Sequence, residues 1–251
     1  MTINANTSSG CYAGGIAGYT NGSTSYNTVS SCTITGYYAG GIGGALSAYG
    51  TVTLKFKEYK SGYRKEDLSE SSFYANVRST AVKTGVTVKG ALAGGLFGVI
   101  NAGVVQDCYA RASVQGISGG SVKAGFAARI YASSAFDNKG GTGSCGLVIY
   151  CYSACTFSGS GSAYSITASL VHNYASIGDG SGRAGYCMQY VFDNDKDGGA
   201  TYNSGSNIFS SDKVKAKKSS GEMQSSSTYT GKGFSSSYWS LSGYPTLHSE
   251  L

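Results

Sequence analysis

The stretch Ala93–Gly116, AGGLFGVINAGVVQDCYARASVQG, decides the fold. Two glycines precede Leu96, a third follows at Gly98, and Asn101-Ala102-Gly103 makes a turn. Apolar residues then come at Val105, Cys108, Ala110 and Ala112. Short β-branched and apolar runs broken by turn residues point to strands. No long 3.6-residue apolar periodicity runs through them, which excludes helical repeats. Glycine meets two needs of such a chain: positive φ at corners, and close approach where facing sheets narrow.

The stretch recurs. AGGIAGYTNG begins at Ala13 and AGGIGGAL at Ala39, so the steps are 39 − 13 = 26 and 93 − 39 = 54, or twice 27. Weaker echoes begin at Ala124 (AGFAARI), Cys145 (CGLVIY), Ala168 (ASLVHNY) and Ala184 (AGYCMQY), after steps of 31, 21, 23 and 16. A period of this size signals stacked repeats. The expected fold is all-β: a right-handed parallel β-helix, or β-solenoid, whose coils lie about 4.8 Å apart. A single coil cannot bury its apolar face, so only the stack is stable. Ile16, Ile42, Leu96 and Phe126 are expected to stack inward as equivalents, with Cys32 and Cys108 as small buried residues.

GGLFGVINAGVVQDCYARASVQG resembles the GLUG motif of bacterial and protist surface proteins. GGIAGYTNGSTSYNTVSSCTITG is similar, with about four extra residues before Cys32. The end, GFSSSYWSLSGYPTLHSEL, resembles the segment that often closes such arrays, with Trp239, Gly243, Tyr244, Pro245 and Leu247 in place. The resemblance covers the start, residues 91–116 and the end. It implies an array of the kind found in adhesins, in the non-catalytic part of immunoglobulin A protease precursors, and in long surface fibres.

Composition agrees with a stack of narrow strands. The chain has 251 residues, 39 Gly, one Pro and 21 Tyr; 41% are hydrophobic and 13% charged. The tyrosines and aliphatics argue against a disordered Gly-Ser polymer. A net charge of +6 is mild, and no basic stripe interleaves with aromatics, so no nucleic-acid partner is expected. Lys213–Lys218, KVKAKK, reads as a solvated loop. No apolar run of about 18 residues exists, so no membrane insertion is expected. The first residues lack the basic and apolar regions of a signal peptide. The seven cysteines include no C-x-x-C pair, which removes zinc and redox motifs; burial as small hydrophobes is favoured over a disulfide framework.

Residues 1–206 are expected to form the repeats, with an insertion at about 55–80. Residues 207–251 are expected to form an exposed connection and a C-terminal cap holding the single Trp and the single Pro. The inserted stretch KFKEYKSGYRKEDLSE, Lys55–Glu70, is charge-dense and sits where one coil anchor is missing, as a hairpin or short helix.

Asp193, Asp195 and Asp197 in DNDKDGG present oxygen ligands at alternate positions beside a Gly turn. That suits calcium, although Ser204 stands where an EF-hand loop wants a bidentate Glu. A solvated acidic turn is the other reading. Asp179, Arg183 and Lys196 supply the residue types of a polysaccharide lyase without its spacing. His172 and His248 have no nucleophile placed beside them, and the GSGSA, GDGSG and GGTGSCG runs lack the Lys-Ser/Thr ending of a phosphate loop. No catalytic residue and no enzyme activity are therefore expected. The function expected is structural: an extracellular, cell-surface adhesin or filament module. It would associate end to end through Cys11, Tyr12 and Tyr19, or continue into neighbouring repeats of a longer chain. The alternatives are a carbohydrate-binding module that takes a surface glycan on exposed Tyr, or a lyase-like β-helix enzyme.

Overall fold

The computed structural model describes residues 1–48, 52–59, 62–72, 75–132, 140–144, 146–164, 169–172, 188–193, 214–215, 220–231 and 234–250. The chain is all-β with parallel sheets. Helix among the described residues is confined to Ser220–Met223 and two short 3-10 turns at Ser226–Thr228 and His248–Glu250.

Three runs of parallel strands hold the same register from tier to tier. In the first run, Ile3, Ile34, Val88, Val114 and Phe157 stand in one line. In the second, Thr20, Leu46, Ile100, Ile130 and Leu170 do so. In the third, Thr24, Val77, Val105, Val148 and Met188 do so. Ile34, Val88, Val114, Leu46, Ile100, Ile130, Val77, Val105 and Val148 belong to one buried core. Alternation puts the neighbours Thr33, Thr87 and Ser113 at half-buried positions.

The glycines of the opening stretch sit where the first two runs meet. Backbone bonds link the corners: Ile16 N donates to Ile42 O (3.0 Å), Ile42 N to Leu96 O (2.8 Å) and Leu96 N to Phe126 O (2.9 Å). Ile42, Leu96 and Phe126 are buried. Ile16 is 39% exposed, since among the described residues its tier pairs on one side only, which corrects its place in the core. A Cβ on Gly98 would come within 2.7 Å of Gly44 O and 2.8 Å of Ala39 N. A Cβ on Gly94 would meet Phe97 O and one on Gly95 would meet Gly125 O, so none of the three glycines leaves room for a side chain.

The spacing of the repeats is corrected. Val88 to Val114 is one tier of 114 − 88 = 26 residues, whereas Ile34 to Val88 is also one tier, of 88 − 34 = 54. Ala39 and Ala93 are direct neighbours, so no coil lies between them. The excess is accommodated by an antiparallel hairpin, Val52–Tyr59 with Gly62–Ser72, and the third run resumes at Val77, short of the expected boundary near 80. The later echoes are corrected too. Gly146–Ser153 lies on the third run and Ser169–His172 on the second, so CGLVIY and ASLVHNY mark different sides of the stack. At the Ala124 echo the anchor slips by one: Lys123 stands in the line of Ala13, Ala39 and Ala93. Its ammonium donates to the carbonyls of Ser158, Gly159 and Ser160 at 3.2, 2.9 and 3.2 Å.

Cys32 and Cys108 are both buried but are not equivalent. Cys32 pairs with Val86 in the first run, while Cys108 precedes Tyr109, which pairs with Tyr152, and so stands over Cys151 in the third. Cys108 N donates to Cys151 Sγ at 3.4 Å, and each thiol donates to the carbonyl two residues back at 3.1 Å. Burial pushes the Cys151 thiol well up. The described cysteines Cys11, Cys32, Cys108, Cys151 and Cys155 carry no disulfide. Cys145 and Cys187 lie outside the described residues.

One column has no glycine where the backbone asks for one. Tyr26, Ser79, Asp107 and Tyr150 have φ of 57°, 48°, 51° and 51°. Each follows the line Ser25, Arg78, Gln106 and Ile149, so the same left-handed corner repeats in four tiers. Such a conformation costs an L-residue about 1–2 kcal/mol. At Tyr26, Ser79 and Asp107 the column divides the third run into two strands, whereas Gly146–Ser153 runs through Tyr150 as one.

The C-terminal segment does not cap the stack. Met223, Tyr229, Phe234, Trp239 and Leu247 form a second buried cluster with Ala81, Tyr109 and Tyr152. Val82 and Ala110 face the core, so by alternation Ala81, Tyr109 and Tyr152 form an apolar stripe on the outside. Covering that stripe removes it from water. The segment therefore lies along the side. Within residues 207–219, Val214–Lys215 is a strand paired in parallel with Val191–Phe192; the rest of that stretch lies outside the described residues.

Candidate functional site

The densest polar chemistry lies where the C-terminal segment meets the left-handed column. Asp107 is 1% exposed. Its Oδ1 accepts Trp239 Nε1 at 3.1 Å and its Oδ2 accepts Arg78 Nε at 3.2 Å. Burial pushes the Asp107 carboxyl up, against the pull of Trp239 and Arg78. The Arg78 guanidinium in turn lies 4.3 Å from the centre of the Tyr238 ring.

A second carboxylate closes the far end. Glu250 Oε2 accepts from Tyr109 OH at 2.7 Å and pairs with Lys83 Nζ at 2.9 Å, while Oε1 accepts Leu247 N at 2.7 Å. Between them Tyr109 and Tyr152 stack at 5.0 Å, 7° apart, and Tyr152 OH donates to Pro245 O at 2.6 Å. Burial raises the phenols of Tyr109, Tyr152 and Tyr229; Glu250 adds to it at Tyr109. These groups hold two pieces of chain together. Their donors and acceptors are spent on one another.

Two clefts open beside this seam. One, of about 310 Å³, is lined by Tyr26, Ser79, Ser237, Tyr238, His248 and Ser249. The other, of about 220 Å³, is lined by Thr84, Gly85, Arg111, Ser113, Ala154, Thr156 and Tyr244, with the Arg111 guanidinium 4.6 Å from the Tyr244 ring centre.

Cys11, Tyr12 and Tyr19 come together at the first tier. Tyr12 stacks on Tyr38 at 4.8 Å and 13°, Tyr19 packs edge-on to Tyr12 at 5.4 Å, and Cys11 O accepts Tyr38 N at 2.9 Å. Tyr19 is 51% exposed. Asp193 ends a strand opposite Ser153, while Asp195 and Asp197 lie outside the described residues, as do Asp179, Arg183 and Lys196. No group of three His, Cys, Asp or Glu that could hold a metal ion occurs among the described residues. His172 lies on a strand opposite Ala132, and His248 lines the larger cleft.

Asp107, Arg78, Glu250, Lys83 and Ser79 were not singled out by the sequence. Asp107 carried one signal, an acidic residue inside an otherwise apolar repeat, QDCYA. The others carried none, because their partners lie in distant parts of the chain. Compared with protein-family models, with curated proteins and with solved structures, the chain matches none. The likeness to the GLUG motif rests on the quoted residues alone.

Proposed function

We propose that the chain is a non-catalytic, right-handed β-solenoid module of an extracellular or cell-surface adhesin, and that its work is to extend and associate. The observation that carries this reading is the first tier. Among the described residues, Thr2–Asn4, Tyr12–Gly14 and Ala17–Thr20 pair with the second tier on one side only. Their other edge presents backbone donors and acceptors, with Ile16 and the Tyr12–Tyr38 stack beside it. Such an edge is a template for further parallel strands. Heterologous contact between unlike ends propagates into a filament where its rotation does not close a ring. The GLUG-like motifs support the same setting, since arrays that resemble them belong to surface proteins.

Light scattering and electron microscopy across concentration test the reading. Growth of end-to-end oligomers, reduced by Tyr19→Glu, is the expected result. A monodisperse monomer at high concentration removes self-association. Release of unsaturated products from uronate polymers would overturn the non-catalytic assignment.

A further inference from the structure

We infer that the cleft of about 310 Å³ between the left-handed column and the C-terminal segment is a binding site for a neutral pyranose sugar. This rests on the surface-adhesin reading and gives it a ligand class. The first reason is Ser79. It is 1% exposed, and its Oγ has no hydrogen-bond partner in the structure. A buried hydroxyl left unpaired has lost its water without gaining a partner, which destabilises the fold. Ser79 also stands at φ 48°, so the backbone there is strained as well. Strained backbone and unpaired buried polar groups recur at functional sites, and Ser79 is the residue of this column that combines the two. Its neighbours do not relieve it: Ser249 Oγ donates to the Ser79 carbonyl at 3.3 Å, not to the hydroxyl.

The second reason is the rest of the wall. Tyr26 is 59% exposed and holds its ring out from the same left-handed column, one tier above Ser79. Tyr238 faces the cleft from the segment, braced by Arg78. Aromatic faces carry negative charge density and attract the polarised C–H face of a sugar ring. Ser79, Ser237, Ser249 and His248 offer donors and acceptors for ring hydroxyls. The lining contains no Asp, Glu, Lys or Arg, which favours an uncharged ligand. The volume lies at the bottom of the range of about 300–1,000 Å³ for small-molecule sites, which suits one or two sugar units. Both walls are needed, so the site exists only while the segment is docked.

Titration of the full chain with glucose, galactose, mannose and N-acetylglucosamine, followed by calorimetry or NMR, tests this, with glucuronate and galacturonate as acidic controls. A glycan array then separates a free sugar from a chain end. Binding of at least one neutral sugar is expected at or below about 10 mM, weakened about tenfold or more by Tyr26→Ala. Tyr26 is exposed, so its removal should leave Trp239 fluorescence unchanged, which checks that the segment stays docked. Ser79→Ala should weaken binding without loosening the segment. No binding of any neutral sugar overturns the site. So does full affinity in Tyr26→Ala, or acidic sugars that bind as well as neutral ones. End-to-end association is read separately on the same samples, so failure of either idea leaves the other standing.

Discussion

The interior of the stack and the seam on its outer side are both buried, but they are built from different chemistry. Ile34, Val88 and Val114 repeat one shape in one line, and each tier buries its neighbour. Tyr109, Tyr152, Trp239 and Tyr229 are large rings with polar ends, and each end finds a different partner: Glu250, Pro245, Asp107 and Met223. Aliphatic lines tolerate any neighbour of similar width, so they allow repetition. Polar-tipped rings accept one arrangement, so they fix where a distant segment lands. The first region specifies a stack and the second specifies a single docked partner.

Removing the ring at the centre of the seam should have the largest effect. Trp239→Ala deletes a fully buried indole and takes the donor from Asp107 Oδ1, leaving only the Arg78 bond to Oδ2, and a buried Trp→Ala change costs about 3–5 kcal/mol. The loss should fall on the docked segment. Proteolysis within residues 220–250 should accelerate while the β-signal in circular dichroism persists. Loss of that β-signal would make seam and stack one cooperative unit. Leu96→Ala makes the reverse cut. It empties a position inside the line of Ile42 and Phe126 and should cost about 2–5 kcal/mol. Stack and segment should then melt together, since Ala81, Tyr109 and Tyr152 belong to strands the stack positions. A cost below about half a kcal/mol would place Leu96 at a yielding site, against its burial.

The same contrast explains what the sequence disclosed. The Gly-Gly-aliphatic anchors at Ala13, Ala39 and Ala93 are local, and they disclose parallel β-structure; Ile42 and Leu96 are buried as expected, whereas Ile16 is exposed. Register failed where it depended on distance. The 54-residue step divides evenly by 27, so an insertion within one tier looked like a missing coil. Cys32 and Cys108 share a residue type and a rough spacing, but Cys108 belongs with Cys151, 43 residues on. Trp239 and Pro245 looked like an end cap because they lie at the end of the chain. Only the outward stripe Ala81, Tyr109 and Tyr152 reveals a side-on dock, and that stripe is recognisable only once register is known. The left-handed column was illegible for a plainer reason: Tyr26, Ser79 and Tyr150 are not residues that announce positive φ.

Asp107 joins the two regions, and its substitutions should have an intermediate effect. Asp107→Ala removes the acceptor of a buried indole N–H and places a β-carbon residue without a local side-chain bond at φ 51°. About 1–3 kcal/mol should be lost. Asp107→Asn keeps a carbonyl for Trp239 and suits the left-handed region, so it should cost less than Ala. Chemical denaturation followed by Trp239 fluorescence measures both. Equal losses in Ala and Asn would assign the cost to the Arg78 pair rather than to the indole or the backbone.

The smallest effect near neutral pH, and the sharpest test of the comparison, is alkaline. Burial raises the Cys151 and Cys32 thiols above their ordinary 9.0 in the interior, and the Tyr109, Tyr152 and Tyr229 phenols above 10.0 in the seam. A group whose folded pKa is raised keeps its proton longer when folded. Its contribution is whole below the unfolded value and is lost as pH rises from there towards the folded value. The interior should therefore weaken first, from about pH 9, and the seam from about pH 10. Cys151→Ala should delay the first loss and leave the second in place. Tyr109→Phe removes one phenol and its bond to Glu250, so it should weaken docking at neutral pH and flatten the loss above 10. Stability against pH, read by circular dichroism for the stack and Trp239 fluorescence for the segment, separates the two. A single transition at one pH in both signals, unmoved by Cys151→Ala, would mean that seam and interior do not titrate as distinct regions.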